Sequence, residues 1–430
     1  MPDMTLTLQK SVICPYCWEG WEPEDAVWVS RHRDLRGDPR LGVDAPLRFL
    51  PTRFNSRGLA IDARDQVCTE IACPRCHLAL PRAFLEFKSL FVSIVGAPGS
   101  GKSFFLGAAV NQLRNILARQ FNLSFQDADP ERNITVTDYE NALFQQPDLD
   151  KPVEVANLIR KTQFGDGAGD TFYSVRYGTH ERRQPRPFSF LIDTLPGHPS
   201  TEKAKRYGRI MCLYDNAGES YLPTRQDLFA EDMTAHLIRS KFLLFLFDPL
   251  QDMGFYREVE RKSGRLESGV RFQSAQYVVL NEAARRVKQL LGGSPSALHE
   301  APLLVLVSKW DAWKGLLPEL SAIEPVRPAS SGLHGLDIPE VERASAMIRD
   351  LLNRLCPTIV QTAESFCREV RYMPVTALGT SPRPDPARTD SRGMAAEVIV
   401  PRDISPRWVT VPFLYGIGRF GSGLVPVFKR

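Results

Sequence analysis

The sequence predicts an α/β protein built around a mainly parallel sheet, with a small metal-binding segment ahead of it. Three observations support this prediction. The octapeptide GAPGSGKS, residues 96–103, stands between an apolar strand pattern and an amphipathic helix pattern. Further along the chain, short apolar runs end at polar residues, as buried parallel strands do at their carboxyl ends. Two matched Cys-Pro-x-Cys pairs lie near the N-terminus.

The composition is that of a globular protein and excludes several classes. The 430 residues are 43% hydrophobic, which allows two or three domains with a substantial core. A net charge of only +4 is not the basic excess that favours nucleic-acid binding. The N-terminal residues MPDMTLTLQK lack the pattern of a signal peptide, and no apolar run is long enough to span a bilayer. We therefore expect a soluble, cytoplasmic protein.

The octapeptide has the glycine and lysine spacing of a complete phosphate-binding loop. A strand pattern at 90–95 precedes it, and apolar residues at helical spacing follow it. Lys102 would reach the β- and γ-phosphates of a nucleotide, and the Ser103 hydroxyl would ligate Mg²⁺. Backbone N–H groups of the glycine turn and of the helix N-terminus would hold the phosphates. The candidate phosphate-binding residues are Gly96, Gly99, Ser100, Gly101, Lys102 and Ser103.

A second phosphate-site motif follows the strand pattern at 209–215, where the chain reads Asp-Asn-Ala-Gly-Glu. Asp215 would hold Mg²⁺, and the Gly218 N–H would contact the γ-phosphate. Asp193, after the strand pattern at 188–193, competes for the role of Asp215, although its Asp–Gly spacing is one residue longer. We expect the two segments to form a hairpin whose second strand returns beside the phosphate-binding loop.

Residues that could recognise a base follow two later strand patterns. The pattern at 241–247 ends at an aspartate, and the pattern at 302–307 leads into Ser-Lys-Trp-Asp. This tetrapeptide resembles the guanine-specificity motif Asn-Lys-x-Asp, and Ser308 in place of asparagine loses an amide that would brace neighbouring loops. Asp311 would accept hydrogen bonds from guanine N1–H and the 2-amino group, a donor pair that adenine lacks. The Lys309 stem would pack on the base; a strand-end turn with solvated Lys and Asp is the alternative.

The last strand pattern, at 370–375, is followed by Thr376, Ala377 and Leu378. This tripeptide resembles a short loop whose backbone touches the O6 atom of guanine. It gains significance from its order in the chain, after the other motifs.

Four cysteines form two knuckles, Cys14 with Cys17 and Cys73 with Cys76. Each knuckle points two thiolates at one place, so that the two together could wrap a tetrahedral Zn²⁺. The long spacer predicts an inserted loop or hairpin at about 25–65. Two disulfides, reduced surface thiols, or ligation by His32 or His77 are the alternatives. A closed four-cysteine shell has no open position, so zinc would stabilise the segment and would not catalyse.

The order and placement of these motifs resemble those of the Ras-like GTPase superfamily over about residues 88–380. The resemblance implies a P-loop NTPase fold, with GTP or GDP and Mg²⁺ as ligands, and catalytic roles for Lys102, Glu219 and a switch-one threonine. Thr162 is favoured for that threonine over Thr135 and Thr137. Glu219 stands where Ras-like enzymes often have glutamine, which implies slow hydrolysis.

More narrowly, the chain resembles the bacterial double-GTPase proteins of predicted conflict systems, which combine a zinc-binding segment with a GTPase-like domain. The matching residues are the four cysteines, Val92 to Ser103, and Asp215 to Glu219. The resemblance implies a partner GTPase or regulatory protein and a switch function in defence or signalling.

We therefore predict a zinc ribbon at 1–87, a Ras-like GTPase domain at 88–380 and a Pro/Gly-rich extension at 381–430. Within the extension, the apolar stretch 411–428 is expected to pack back on the domain in preference to contacting a membrane or partner. A P-loop ATPase and a non-enzymatic zinc-ribbon interaction module stabilised by nucleotide are the alternative functions. The sequence does not indicate an oligomeric state.

Overall fold

The main body of the protein is a seven-stranded, mostly parallel sheet covered by helices. The computed structural model describes residues 8–159, 172–199, 207–215, 234–263, 276–292, 294, 296–329, 332–389, 393–421 and 423–429. The strands in chain order are β1 (Lys88–Gly96), β2 (Leu123–Asp127), β3 (Phe188–Thr194), β4 (Arg209–Asp215), β5 (Phe242–Phe247), β6 (Leu303–Val307) and β7 (Val370–Pro374). They lie in the order β2-β3-β4-β1-β5-β6-β7. Within this sheet, β3 runs opposite to the other six strands, which all share one direction.

The central strands are continuously apolar because both faces of the sheet are covered. Every residue of β5 (FLLFLF) and of β6 (LLVLV) is buried. All five strand patterns expected to form the parallel sheet are strands within it, and the expected mainly parallel α/β architecture is confirmed. The expected hairpin is also confirmed, since β3 pairs antiparallel with β4, and β4 lies parallel to β1.

Helices cover both faces of the sheet. They are α1 (Lys102–Phe121), α2 (Ile134–Phe144), α3 (Met253–Ser263), α4 (Gln276–Leu291), α5 (Ile338–Leu355), α6 (Pro357–Phe366) and α7 (Val411–Phe420), with single turns at Val155–Leu158, His236–Arg239 and Trp310–Trp313. The first helix after the octapeptide buries Phe105, Leu113 and Leu117, as its periodicity predicts. Among the described residues, no helix is long and apolar enough to cross a bilayer.

The N-terminal part forms small sheets around a core of its own. Its short strands are Val12–Ile13, Gly20–Trp21, Val27–Val29, Arg36–Asp38, Gly42–Pro46, Arg48–Phe49, Ile71–Ala72 and Ala79–Leu80. Trp21 and Trp28 are buried in this core, which continues into Phe91 of β1 and Tyr214 of β4. A hairpin of Phe172–Tyr177 with His180–Pro185 packs against the same core through Val175. The N-terminal part therefore packs directly on the sheet.

The C-terminal part packs back on the main body. Strands Arg383–Thr389 and Ala395–Ile399 pair with each other, and the second also pairs with Val153–Glu154. Val427–Phe428 joins His334–Asp337, which in turn pairs with Val326–Pro328. Helix α7 is almost entirely buried, and its Phe413 stacks on Phe105 of α1 with ring centroids 6.0 Å apart. A Cβ at Gly416 would lie 2.1 Å from the Phe242 ring, so only glycine fits there.

Candidate functional site

The octapeptide forms a tight turn between β1 and α1, and its glycines are required by the backbone angles and close contacts of that turn. Gly99 and Gly101 have φ angles of 74° and 92°, a left-handed region that favours glycine. A Cβ at Gly96 would lie 2.9 Å from both the Leu246 carbonyl oxygen and Ser100 Oγ. The loop is therefore wedged against β5, and larger residues at these positions would change its path.

The inside of this loop carries hydrogen-bonding groups suited to an anion. Gly101, the N-cap of α1, has no side chain to hydrogen-bond to the first turn, and the N-terminus of a helix is a favourable place for an anion. Lys102 curls back over the turn and donates from Nζ to the Gly96 carbonyl at 3.0 Å. The Ser100 hydroxyl is enclosed and has no hydrogen-bond partner in the described part of the chain. This arrangement fits phosphate, which would use the enclosed donors.

Asp215 ends β4 beside the loop, level with Ile94 of β1. Its Oδ1 is enclosed and makes no hydrogen bond within the described ranges. Burial raises the pKa of Asp215 to about 6, while the nearby charge of Lys102 opposes that rise. An enclosed carboxylate oxygen without a hydrogen-bond donor is costly, so this atom has the capacity to accept a donor or a cation.

Asp193, the competing candidate, lies at the opposite end of the strands, where the parallel strands begin. Strand β3 is antiparallel, so its last residues stand beside the start of β4 and pair with the start of β2. The Asp193 carboxylate accepts a hydrogen bond from the Thr194 N–H instead. Thr162, Gly218 and Glu219 lie outside the described residues, and the rival threonines at 135 and 137 are on α2.

Ser308, which directly follows β6, contacts the turn at 96–103 directly. Its hydroxyl donates to the Ser100 carbonyl at 3.4 Å, and its own carbonyl accepts from Trp313 Nε1 at 2.8 Å. Serine lacks the amide of asparagine at this position, but its hydroxyl makes one long hydrogen bond to the turn at 96–103. Lys309 has a left-handed φ of 54° and pairs through Nζ with the buried Asp248 at 3.2 Å.

The Asp311 carboxylate is held on both oxygens by hydroxyl groups. Thr376 donates to Oδ1, and Ser381 donates to Oδ2 at 2.8 Å. The Thr376 hydroxyl is itself fixed by the Gly379 N–H at 2.8 Å. Since a carboxylate oxygen accepts two hydrogen bonds, each oxygen keeps capacity for one more donor. The sequence did not point to Ser381, because no motif places it near Asp311.

These elements surround one cavity of about 260 Å³. Its lining comes from the turn at 96–103, the segment after β6 and the loop after β7, and also from the C-terminal part through Pro382. A cavity of this size suits a flat ring system better than a whole nucleotide. Its lining includes Gly99, Ser100, Lys309, Asp311, Thr376 and Ala377.

The four knuckle cysteines meet at a second site in the ribbon. Their Sγ atoms all lie within 4.8 Å of one another, and the pairs Cys14–Cys76 and Cys17–Cys73 are 3.7 Å apart. Tetrahedral Zn²⁺ with bonds of about 2.3 Å needs sulfur atoms about 3.8 Å apart, so the geometry fits zinc. All four are free thiols, which excludes the disulfide alternative in this structure.

The two knuckles have the same shape. In each, the residue after the second cysteine adopts a left-handed φ, 57° at Trp18 and 63° at His77, and donates its N–H to the carbonyl of the first cysteine. His77 is held by Asp38 at 2.8 Å and is not part of the cysteine cluster. Burial raises the pKa of Cys14, so a bound cation would be needed to keep the enclosed thiolates charged.

Tyr214 connects the ribbon to the sheet. Its hydroxyl donates to the Pro15 carbonyl at 2.6 Å, inside the first knuckle, and accepts from Trp18 Nε1 at 3.1 Å. Its ring stacks on His236 with centroids 5.0 Å apart. Because Tyr214 directly precedes Asp215, the two candidate sites are supported by adjacent residues of β4.

Comparisons with known proteins give one partial likeness. No protein-family model matches the chain. The chain is similar to SaeC of Mycolicibacterium smegmatis, assigned as an ESX-1 scaffolding and assembly protein, at 26% identity over 259 residues. The matched part is 55% of this chain and 57% of the relative, so the chain spans little more than half the length of the curated relative it matches.

Proposed function

We propose that the protein is a GTP-binding switch with a Ras-like P-loop fold that hydrolyses GTP slowly. One observation supports this most: three elements far apart in the sequence meet at one edge of the sheet around a single cavity. They are the phosphate-binding loop, the Ser308–Asp311 turn and the loop that begins at Thr376. A mainly parallel sheet with a single antiparallel strand, β3, beside β4 is consistent with that fold.

In this proposal the phosphates lie on the turn at 96–103. Lys102 exchanges its bond to the Gly96 carbonyl for the β- and γ-phosphates, and the enclosed Ser100 hydroxyl gains a partner. Ser103 and Asp215 are the residues that would hold Mg²⁺, which when bound neutralises phosphate charge. The enclosed Oδ1 of Asp215 fits that role.

The base would enter the cavity beside Asp311. A carboxylate fixed by two hydroxyl groups retains acceptor capacity for the N1–H and the 2-amino group of guanine. Adenine presents no such pair of donors, so it would leave the carboxylate unsatisfied. The backbone at Thr376 and Ala377 borders the same space.

Slow turnover is proposed from the sequence. A carboxylate at Glu219 adds negative charge near the γ-phosphate, and Thr162 would order the switch segment. A partner GTPase or regulatory protein could supply the missing positive charge.

A scaffolding role is the second candidate, and the similarity to SaeC favours it. In that case the ribbon would present a binding surface, and nucleotide would stabilise the fold without turnover. The two candidates share nucleotide binding and differ in phosphate release.

The experiment is calorimetric titration of the full chain with GTP, GDP and ATP, with and without Mg²⁺, followed by a phosphate-release assay. We expect binding of GTP and GDP, strengthened by Mg²⁺, with ATP at least tenfold weaker, and no binding to Lys102→Ala. Equal affinity for ATP would favour an ATPase. GTP binding without phosphate release would favour the scaffold, and absence of binding would refute both.

A further inference from the structure

The C-terminal part of the chain contributes a side chain to the cavity that the proposed function assigns to the base. Ser381 stands five positions after Thr376, at the start of the segment leading into strand Arg383–Thr389. Its hydroxyl donates to Asp311 Oδ2 at 2.8 Å, on the opposite side of the carboxylate from Thr376.

We propose that Ser381 is a positioning residue for base recognition, which sets the orientation of the Asp311 carboxylate toward the purine. This inference rests on the proposed function. The χ2 torsion of an aspartate has a broad distribution, so a single hydrogen bond to Oδ1 still allows the carboxylate to rotate and Oδ2 to change position. A second donor on Oδ2 fixes the plane of the carboxylate, and with it the direction of the remaining acceptor sites.

The position of Ser381 is fixed by structure further along the chain. Strand Arg383–Thr389 pairs with Ala395–Ile399, which pairs with Val153–Glu154. Pro382 and Glu397, both from this small sheet or its approach, line the same cavity. In this proposal, base specificity therefore depends on Asp311 together with the two hydroxyl groups, of Thr376 and Ser381, that hold its carboxylate from opposite sides.

A purely structural role for Ser381 predicts a different result. If the hydroxyl only tied down the loop at 376–381, its removal would weaken all purine nucleotides alike. If it orients Asp311, removal weakens most the ligand that uses both oxygens. Guanine presents two donors to the carboxylate, whereas hypoxanthine lacks the 2-amino group and presents one.

The test compares GTP with ITP by calorimetry on the full chain with Mg²⁺. For Ser381→Ala we expect GTP affinity to fall roughly three- to tenfold, and ITP affinity to fall less, so that the preference for GTP shrinks. Ser381→Thr keeps the hydroxyl and should restore the preference. Thr380→Val is the matched control, since Thr380 lines the same cavity but does not hydrogen-bond to Asp311 within the described structure.

An unchanged GTP-to-ITP preference in Ser381→Ala would overturn the inference, whether neither affinity falls or both fall equally. Ser381→Cys nearly keeps the side-chain volume but donates only a weak hydrogen bond, so it should give the same result as Ser381→Ala. It is used in place of the alanine variant if that variant unfolds at a lower temperature than the wild type. Failure of the wild type to bind GTP would instead refute the proposed function, and it would be seen before any variant is made.

Discussion

Replacing Asp215 with asparagine should make the ligand-free protein more stable while removing the Mg²⁺ dependence of nucleotide binding. The Asp215 side chain is half-buried beside the turn at 96–103, and its enclosed Oδ1 lacks a hydrogen-bond partner in the described chain. Holding a charged group there costs free energy in the folded state. An amide of the same shape carries no charge, and so it escapes most of that cost.

The raised pKa of Asp215 gives the size of this stability difference and the direction of its change with pH. Burial raises the pKa of Asp215 from 3.8 to about 6, which corresponds to at most about 3 kcal/mol. Because the folded state binds this proton more tightly than the unfolded state, the wild type loses stability as pH rises from about 4 to about 6. Partial solvent access reduces the cost, so we expect Asp215→Asn to be about 1–3 kcal/mol more stable at pH 7.5 and nearly equal at pH 4.

The assay is urea unfolding followed by tryptophan fluorescence at pH 4, 5, 6 and 7.5, with Asp44→Asn as a control for the loss of one exposed negative charge. The advantage of Asp215→Asn should appear between pH 4 and 6 and stay constant above. A variant that is less stable at pH 7.5, or whose advantage does not change with pH, would refute the reasoning. Titration with GTP at pH 7.5 should then show Mg²⁺-independent, weaker binding in the variant.

Three further predictions concern the other sites. Lys102→Ala should abolish nucleotide binding, because the triphosphate loses its main protein counter-charge; unchanged affinity by calorimetry would mean that the turn is not the site. Cys73→Ser should contain less zinc than the wild type by elemental analysis. Residues 1–87 of the variant should also be cleaved by protease under conditions in which the wild type is resistant, since metal binding and folding are coupled; a full zinc content would contradict this. Asp311→Asn should weaken GTP binding roughly ten- to a hundredfold and favour xanthosine triphosphate, whose carbonyl accepts from the new amide; wild-type GTP affinity would show that Asp311 does not contact the base.

The parallel strands and the turn at 96–103 could be predicted because their signals are local. A run such as FLLFLF can be stable only where both faces are covered, and the glycine spacing reflects backbone angles within one turn. The cysteine knuckles are local in the same way. The conformation of these elements is determined mainly by residues close together in the sequence.

Other features depend on pairings that no local pattern specifies. Strand β2 (LSFQD) is a short, partly polar edge strand, and only its pairing with β3 identifies it. Strand direction adds to the longer Asp–Gly spacing as a distinction between Asp193 and Asp215, since β3 runs antiparallel and places Asp193 beside the start of β4. The hydrogen bonds of Ser308 and Ser381 join residues far apart in the sequence or across a loop, and a serine in isolation gives no indication of its partner.

Because successive residues of a strand face opposite sides, β4 presents Tyr214 to the ribbon and Asp215 to the phosphate-binding loop. The Tyr214 hydroxyl, through its hydrogen bonds with Pro15 and Trp18, connects the first knuckle to the strand that ends at Asp215. Thermodynamic linkage then works in both directions. If the proposed nucleotide site and the cysteine site are coupled through β4, the factor by which the cysteine metal changes the affinity for nucleotide must equal the factor by which nucleotide changes the affinity for that metal.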